Sequence, residues 1–468
     1  MKLNEILQGI EVIETYLYDE NLEIKGISLN DCNIIGNLFV CIAGEKFNTY
    51  NLMNKLSENI DVFITEQINE KVQKCQIKVS NTRKILLNLY FNFNKLDINK
   101  IKIIGITGTN GKTTTTYYTK FLLEKLGCKV ALIGTSGCFI LDKKINSNLT
   151  TPTPENLSSL IKIMIENNIE YLIMEVSAHA VKQYRIEGLN FSVGAFTNIS
   201  IDHLDDFSNL YEYAYYKFLF LSKAKNRIIN IDDKFGKEFC NISDITISNK
   251  SEAMFRYSYK NGEISICNQN QSYKINTNIK ADYNAYNLTL AVAIIYSLGL
   301  NFVECFKYFN NMPEVDGRYN LLTFGNKLVC IDYAHTPDAI EKTLSNLRKL
   351  TKDLIVVFGA SGFRDMKKRE KMGKVASYYA DYIILTADNP RYEKVLQINE
   401  QISKFINKPY VCIENRAKAI EYAVEIATDN SVVALLGKGN EEFQDICAYD
   451  IYHNDEVIVK RVFDKEKN

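Results

Sequence analysis

A predicted strand, a glycine-containing loop and a predicted helix follow one another near residue 105. The apolar run 101–106 ends just before two glycines, and a helical pattern begins at Thr113. Glycines let backbone N–H groups turn inward, and a helix N-terminus adds positive potential. Lys112 supplies a full charge, and the hydroxyl of Thr113 suits Mg²⁺. Residues 108–114, hereafter the phosphate loop, therefore predict a phosphate-binding site at the end of a buried strand.

Length and composition describe an ordinary globular protein. With 468 residues the chain is too long for one core, and about three domains are expected. Hydrophobic residues make up 46% and charged residues 24% of the chain, which is typical of water-soluble domains. The 56 basic and 56 acidic residues cancel, so net charge predicts neither a nucleic-acid nor a membrane partner.

Cysteine usage and the first residues predict a cytoplasmic protein. The 11 cysteines include no CxxC pair, and free thiols suit a reducing compartment. Cys41, Cys138, Cys330 and Cys412 lie in apolar, strand-like runs, so we expect them in the core. The N-terminus lacks the basic and apolar regions of a signal peptide. The longest apolar stretch, 288–300, is too short for a bilayer and predicts a core helix.

Short apolar runs that alternate with helical patterns predict an α/β fold. We expect three domains: a small N-terminal α/β domain at 1–97, a central P-loop NTPase-like parallel sheet at 98–314, and a C-terminal Rossmann-like domain at 315–468.

Four buried runs of the last domain end in polar, often glycine-bearing segments. These segments are 333–335, 359–362, 387–390 and 437–439. Ligands of open α/β sheets gather at the carboxyl ends of the strands, so we expect the four segments to form one rim.

Three further residues combine reactive chemistry with a strand-end or helical position. Glu175 closes a buried strand, where an unpaired carboxylate is costly, and predicts a Mg²⁺ ligand or a buried salt bridge. His203 follows another strand end and fits either a metal ligand or a core histidine. Lys217 lies in a helical stretch, where taken alone it is typical of a lysine that keeps its charged end in water.

Segments spread from residue 100 to residue 445 together resemble the Mur ligases, in the order found in that family. They are most similar to the members that add the third amino acid to a UDP-muramoyl dipeptide. The matching segments are 107–114, 150–152, 175–185, 197–205, 216–217, 284–287, 317–318, 332–338, 359–369, 388–391 and 437–444. Any one of them can occur by chance, whereas the ordered set is highly specific.

The resemblance implies an ATP-dependent, amide-forming ligase that uses Mg²⁺. A substrate carboxylate takes the terminal phosphate of ATP, and an amine then attacks the acyl phosphate. The catalytic residues implied are Lys112, Glu175, His203 and Lys217. The Mg²⁺ ligands implied are Thr113, Glu175, His203 and carbamylated Lys217. The ATP contacts implied are Gly108, Thr109, Asn110, Gly111, Lys112, Thr113, Thr114, Asn287, Arg318, Asp332 and His335. For Asn287 and Arg318 the alternatives are a helix-surface amide and a surface ion pair.

The resemblance also implies two groups of substrate contacts. The UDP-muramoyl peptide would contact Asn30, Thr150, Thr151, Ser177, Gln183 and Arg185. The incoming amino acid would contact Arg364, Asp388, Asn389, Arg391, Gly437 and Glu441.

The segment 388–391 resembles the family version that adds meso-diaminopimelate, which is lysine with an additional carboxylate. Arg391 suits that carboxylate because its planar fork donates two parallel hydrogen bonds. Glu441 suits the distal ammonium. A solvated arginine in a turn is the alternative for Arg391.

Several positions depart from the family pattern. Ile106 stands where the general phosphate-loop pattern has its first glycine, and Asn440 replaces the histidine of a C-terminal motif. Asp31 replaces an arginine in the segment that binds the uridine nucleotide in relatives, so a diphosphate would meet a negative charge. Asn30 can still hydrogen-bond uracil.

The expectation is therefore a cytoplasmic, monomeric ligase of peptidoglycan synthesis with small-molecule substrates. Three alternatives remain open. The first is a paralogue that adds another amino acid, such as L-lysine as the amine, or that uses another, non-UDP carboxylate substrate. The others are an inactive subunit that only binds nucleotide and a small-molecule kinase.

Overall fold

The computed structural model describes residues 1–44, 48–145, 149–202, 206–269 and 271–466, with side chains described as far as residue 464. The chain divides into two compact units, each built from several stretches. The first comprises Met1–Gly105, Cys128–Gly194 and Leu219–Lys225, and the second comprises Ile106–Gly127, Ala195–Phe218 and Asn226–Asn468.

The N-terminal part of the first unit forms a five-stranded sheet of order β1-β5-β4-β3-β2, in which only β1 pairs antiparallel. Its elements are α1 (Leu3–Ile6), β1 (Glu14–Tyr16), β2 (Ile27–Ser28), β3 (Leu38–Val40), α2 (Met53–Leu56), β4 (Val62–Thr65), β5 (Cys75–Lys78) and α3 (Thr82–Phe93). Short 3-10 helices occupy Thr49–Leu52 and Ile98–Lys100. Asn81 caps α3 by accepting a hydrogen bond from the Lys84 amide, which satisfies one of the free N–H groups at the helix start.

The next stretch of chain carries both the predicted phosphate loop and the Glu175 strand. Its elements are β6 (Lys102–Thr107), α4 (Lys112–Lys125), β7 (Val130–Gly134), β8 (Gly137–Ile140), β9 (Lys143–Ile145), α5 (Pro154–Glu166), β10 (Tyr171–Glu175), α6 (Ala178–Lys182), β11 (Phe191–Phe196) and α7 (Leu210–Leu221). In the first unit the strand order is β6-β10-β7-β8-β9, with β10 parallel to β7 and the last two strands antiparallel.

The second unit continues with strands in the order β16-β15-β14-β13-β12-β11. Its elements are β12 (Ala224–Asn230), α8 (Lys234–Phe239), β13 (Ile245–Ser248), β14 (Phe255–Lys260), β15 (Glu263–Asn268), β16 (Gln271–Asn276) and α9 (Asp282–Ser297), followed by a 3-10 helix at Phe302–Asn311. Helix α9 is buried along nearly its whole length. The core helix predicted around 288–300 is thus confirmed, with an earlier start.

The C-terminal part of the second unit is a six-stranded sheet of order β17-β18-β22-β19-β20-β21, parallel except for β17. Its elements are β17 (Asn320–Phe324), β18 (Lys327–Asp332), α10 (Pro337–Leu347), β19 (Leu354–Phe358), α11 (Lys367–Tyr379), β20 (Tyr382–Leu385), α12 (Val395–Ser403), β21 (Tyr410–Cys412), α13 (Arg416–Ile426), β22 (Val432–Leu436), the hairpin β23 (Phe443–Ile446) and β24 (Tyr449–Tyr452), and α14 (Asp455–Glu466). Apolar cores cover both faces of this sheet, as expected for parallel strands.

The predicted α/β class is confirmed, whereas the three domain boundaries stay predictions. Cys41, Cys138 and Cys330 are buried as expected, but the prediction for Cys412 is wrong because this residue is exposed. It lies on β21, the edge strand of its sheet, where one side has no neighbouring strand to cover it. Within the described ranges no helix is both long and apolar enough to cross a membrane.

Candidate active site

The phosphate loop connects β6 to α4 and depends on two glycines with positive φ. Gly108 has φ +142°, and a Cβ there would overlap the Thr197 hydroxyl. Gly111 has φ +90°, and a Cβ would lie 2.6 Å from Asn287 Oδ1. L-residues rarely adopt such conformations, so the loop requires glycine for both backbone and space. Helix α4 begins directly after Gly111, so its free N-terminal N–H groups lie at the loop. This is the arrangement that binds phosphate.

Two lysines converge on this loop. Lys112 Nζ donates to the carbonyl oxygens of Gly108 (2.8 Å) and Thr109 (2.9 Å). Lys217 Nζ on α7 donates to the same Gly108 oxygen at 2.9 Å and lies 4.2 Å from the centre of the Tyr213 ring. Burial and then the nearby Lys112 charge hold the pKa of Lys217 well below its usual value, against the opposing pull of Asp202. Lys217 is only 1% exposed, so the water-facing alternative is wrong.

Two residues predicted to contact ATP brace the loop. Asn287 is buried beneath Gly111, and its amide donates to Asn284 Oδ1 at 3.0 Å; the surface-amide alternative is therefore wrong. Arg318 donates through Nη2 to Thr113 Oγ1 at 3.2 Å and stacks 4.1 Å from the Tyr333 ring. Its Nη1 is buried and has no hydrogen-bond partner among the described residues. A buried, unpaired guanidinium nitrogen beside a phosphate loop favours an anionic ligand there.

Asp332 and His335 follow β18, as predicted. The Asp332 carboxylate accepts from the amide of Tyr319 and, at 2.8 Å, from that of Ala334. Burial raises the pKa of Asp332 despite the opposing Arg318 charge and these hydrogen bonds. His335 Nδ1 lies 2.8 Å from the Tyr333 carbonyl, and Nε2 lies 3.6 Å from Asp202. Both residues hydrogen-bond to the backbone around the end of β18. Their contacts with ATP stay predictions.

The first unit brings Glu175 together with residues predicted for the muramoyl peptide. Glu175 is fully buried, and its two oxygens accept from the Thr135 amide (3.0 Å) and hydroxyl (3.1 Å). The Thr150 hydroxyl lies 3.1 Å from that of Thr135. Thr151 Oγ1 donates to the Glu175 carbonyl at 2.8 Å and accepts from the Ser177 amide at 3.1 Å. This cluster presents hard oxygen donors around a buried carboxylate.

Gln183 and Arg185 belong to the same cluster. Arg185 donates to the Thr151 carbonyl at 2.9 Å and through two nitrogens to Gln183 Oε1 at 2.6 and 3.0 Å. Burial, with a smaller contribution from Arg83, lowers the pKa of Arg185. A partly buried guanidinium with a second arginine nearby predicts an anionic ligand.

Every residue predicted for the incoming amino acid lines one cavity of the second unit, hereafter the C-terminal pocket. These residues are Arg364, Asp388, Asn389, Arg391, Gly437 and Glu441. All four predicted strand-end segments contribute, since Tyr333 and Ser361 also line it. The prediction of one rim is therefore confirmed. Parallel strands β18, β22, β19 and β20 lie side by side and end together, which places these segments at one edge.

The C-terminal pocket carries charges of both signs. Arg391 has φ +53°, and its Nε lies 3.3 Å from Asp445. Arg364 Nη1 donates to Asp206 at 3.0 Å. Burial opposes ionisation of Asp388, but the Lys438 and Arg416 charges and the Ser361 hydroxyl hold its pKa below the usual value. Such a pocket suits a small zwitterionic ligand.

Sequence reasoning missed several residues around this pocket. Asp202 and Lys368 line it and lie 3.9 Å apart. Lys438 and Arg416 lie beneath it, with 0% and 1% of their surfaces exposed. Lys438 directly follows a five-residue buried strand and its glycine, a signal that was present in the sequence. Arg416 had no such signal because its partner, Asp455, lies 39 residues further on.

Two further predicted residues remain, His203 and Asn30. His203 lies outside the described residues. Asn30 accepts a hydrogen bond from the Asn33 amide at 2.9 Å, and Asp31 pairs with Lys55 at 3.5 Å. Among the residues that the structure describes, no group of three or more His, Cys, Asp or Glu side chains forms a metal site.

The fold and its two strand-end sites define a nucleotide-dependent enzyme of the α/β class. Comparison with family models makes this class specific. Residues 106–295 match the Mur ligase middle domain, and residues 317–439 match the Mur ligase glutamate ligase domain.

Known proteins agree with this match. A relative from Clostridium acetobutylicum, named UDP-N-acetylmuramoyl-L-alanyl-D-glutamate–2,6-diaminopimelate ligase 1, is 36% identical over 482 residues, with 100% of both chains covered. A solved structure of a ligase with that name, 24% identical, superimposes with a TM-score of 0.69 over 100% of this chain and 99% of the other. The MurF ligase from Thermotoga maritima in complex with ADP has a TM-score of 0.61 at 16% identity, covering 94% and 97%.

The chain belongs to the Mur ligase family. The predicted family and the predicted class of amide-forming ligase are therefore confirmed.

Proposed function

We propose that this protein adds meso-diaminopimelate to UDP-N-acetylmuramoyl-L-alanyl-D-glutamate, using ATP and Mg²⁺, in peptidoglycan synthesis. The reaction joins the substrate carboxylate to one amine of diaminopimelate through an acyl phosphate. We further propose that it acts in the cytoplasm as a monomer.

The observation that carries this proposal is the composition of the C-terminal pocket. Two arginines that line the pocket, Arg364 and Arg391, can bind carboxylates, and two carboxylates that line it, Glu441 and Asp388, can bind ammonium groups. Diaminopimelate has two carboxylates and two ammonium groups, so each charge finds an opposite one. Lysine has no second carboxylate and would leave a guanidinium without that partner, which costs roughly 10²-fold in discrimination.

Phosphoryl transfer is assigned to the phosphate loop. Its N–H groups and Lys112 would hold the β- and γ-phosphates of ATP, and the buried Arg318 Nη1 would gain an acceptor. A carboxylate oxygen attacks the γ-phosphorus and ADP leaves. The neutral amine then attacks the carbonyl carbon and the C–O bond to phosphate breaks. Hydrogen phosphate departs with that carboxylate oxygen and with one proton from the amine.

The residues predicted for Mg²⁺ have the right chemistry. Thr113 and Glu175 offer hard oxygen donors, which Mg²⁺ prefers. A Mg²⁺ ion held by these oxygens would supply positive charge to offset that of the transferring phosphoryl group. Burial lowers the pKa of Lys217, which favours the neutral amine, the form that reacts with CO₂ to give a carbamate. We propose carbamylated Lys217 and His203 as further Mg²⁺ ligands.

The muramoyl peptide is assigned to the first-unit cluster around Thr151 and Arg185. Arg185 donates to a backbone carbonyl and to a neutral amide, and among the described residues no carboxylate pairs with it. It therefore retains positive charge for a carboxylate or phosphate of the substrate. Asn30 is proposed as a uracil contact.

The test is turnover by the purified protein. The assay contains ATP, Mg²⁺, the UDP-muramoyl dipeptide and either diaminopimelate or L-lysine. With diaminopimelate we expect phosphate release and a product of the tripeptide mass. The kcat/KM for diaminopimelate should exceed that for lysine by at least about 10²-fold. Preference for lysine would overturn the amine assignment. No product with either amine would overturn the acceptor assignment, and a phosphorylated final product would indicate a kinase.

A further inference from the structure

Lys438 lies directly beneath the C-terminal pocket and does not line it. The residue follows Gly437 at the end of β22 and is 0% exposed. Its ammonium donates to Asn389 Oδ1 at 2.9 Å, to the Phe443 carbonyl at 2.6 Å, and to the Glu441 carboxylate. An ammonium has three N–H donors, so each of them has an acceptor. Lys438 thus connects three segments of the pocket floor.

The first consequence concerns the Asn389 amide. Its oxygen accepts from Lys438 and, at 3.0 Å, from the Asp445 amide. Two donors on one side fix which end of the amide is oxygen, because the opposite orientation would place N–H against N–H. The Asn389 nitrogen therefore faces the other way and donates to Glu441 at 3.2 Å. Its second N–H remains for a ligand in the pocket.

The second consequence concerns the Glu441 carboxylate. One oxygen accepts from the Tyr333 hydroxyl at 3.1 Å, and the other accepts from both Asn389 and Lys438. Donors on both oxygens hold the carboxylate in one orientation at the pocket wall. Among the described residues, the donors left to Glu441 after removal of the lysine are the neutral Tyr333 hydroxyl and Asn389 amide.

We propose that Lys438 is a positioning residue for the incoming amino acid. It sets the Asn389 amide so that an N–H donor faces a ligand carboxylate, and it sets Glu441 so that a carboxylate faces a ligand ammonium. This inference rests on the proposed function, which assigns the pocket to an amino acid. It adds the residue that orients the Asn389 and Glu441 side chains in that pocket.

The test compares Lys438→Met with wild type in steady-state turnover. We expect the KM for diaminopimelate to rise about 10- to 100-fold, since correct pairing to charged ligand groups is lost. The KM for ATP should stay within about twofold, because Lys438 contacts nothing in the phosphate loop. Lys374→Met, which removes a lysine from an exposed pair with Glu370, is the matched control and should change neither constant.

A double-mutant cycle separates positioning from a general structural effect. Because Lys438 acts through both Asn389 and Glu441, Lys438→Met should still raise the KM in an Asn389→Ala background, but several-fold less than it does in wild type. Equal costs in both backgrounds, or an unchanged KM for diaminopimelate in Lys438→Met, would overturn the proposal.

Asn389→Asp covers the case in which Lys438→Met does not fold. This change keeps an acceptor for Lys438 and the Asp445 amide but removes the N–H donor, so we expect the KM for diaminopimelate to rise at least about tenfold. An unchanged KM would show that no N–H faces the ligand. Wild-type turnover measured in parallel tests the proposed function separately, and if wild type prefers lysine, the same variants are scored on the KM for lysine.

Discussion

The phosphate loop and the C-terminal pocket are built in opposite ways. The loop is seven consecutive residues whose shape depends on backbone, with Gly108 and Gly111 at positive φ. The pocket draws on four strand ends and on buried charges that lie far apart in the sequence, such as Lys438 and Arg416. A site whose shape comes from the backbone tolerates few substitutions, but it needs few other residues to orient it. A site made of side chains depends on the partners that orient them.

The largest expected effect is at the one charged side chain of the loop. Lys112→Ala should lower the rate of amide formation about 10³-fold or more, because no other loop residue supplies a full positive charge to the phosphates. Phosphate release and product mass measure it. Lys120→Ala removes a lysine on the same helix that pairs with Glu124 and should stay within about twofold of wild type. Comparable losses in both variants would show that the helix, and not the phosphate contact, is being tested.

The next largest effect is on stability, at the buried ion pair between Arg416 and Asp455 beneath the C-terminal pocket. Arg416 donates to both oxygens of Asp455, at 2.8 and 2.6 Å, and to the Leu436 carbonyl at 3.0 Å. Arg416→Met leaves a buried carboxylate without its cation and should lower the free energy of unfolding by about 3–5 kcal/mol in urea titrations. Arg348→Met, at the half-exposed pair with Asp381, should cost less than about 1 kcal/mol.

The same pair has a predicted pH dependence. Burial opposes ionisation of Asp455, but Arg416 and His453 outweigh it and hold its pKa well below the usual value. A depressed carboxyl pKa stabilises the fold above the unfolded pKa of about 4 and loses that contribution as pH falls towards the folded pKa. The stability gap between wild type and Arg416→Met should therefore shrink below about pH 4. A constant gap across that window would contradict the pairing.

The next effect concerns substrate choice. Arg391→Ala should raise the KM for diaminopimelate about 10²-fold and leave the KM for lysine nearly unchanged, because only diaminopimelate has the distal carboxylate. Parallel assays with the two amines measure this ratio. An equal rise in KM with both amines would mean that Arg391 binds the α-carboxylate that both amines share, or that it stabilises the segment 388–391.

The smallest effect tests competition inside the pocket. Arg364 donates to Asp206 at 3.0 Å, and both side chains are partly exposed. Asp206→Asn should lower the KM for diaminopimelate about two- to fivefold, because a half-exposed ion pair that competes with the substrate contributes at most about 1 kcal/mol. A raised KM would show that Asp206 orients Arg364 for the substrate.

The contrast between the two sites also explains what the sequence could predict. The loop was predicted residue by residue because strand, glycines, lysine and helix are adjacent. The pocket rim was predicted from four strand ends, since parallel strands finish at one edge. Cys412 was placed wrongly because an apolar run does not reveal that its strand lies at a sheet edge. The orientation of Asn389 could not be predicted, because it depends on Lys438 and Asp445, 49 and 56 residues away.

The acyl-phosphate route is tested most directly by following one oxygen atom of the substrate carboxylate. The substrate carboxylate is labelled with ¹⁸O, and the released inorganic phosphate is analysed by mass spectrometry after one turnover with ATP and diaminopimelate. We expect one ¹⁸O atom in the phosphate, because the carboxylate oxygen attacks the γ-phosphorus and leaves with it. Unlabelled phosphate accompanied by amide product would contradict the acyl-phosphate route.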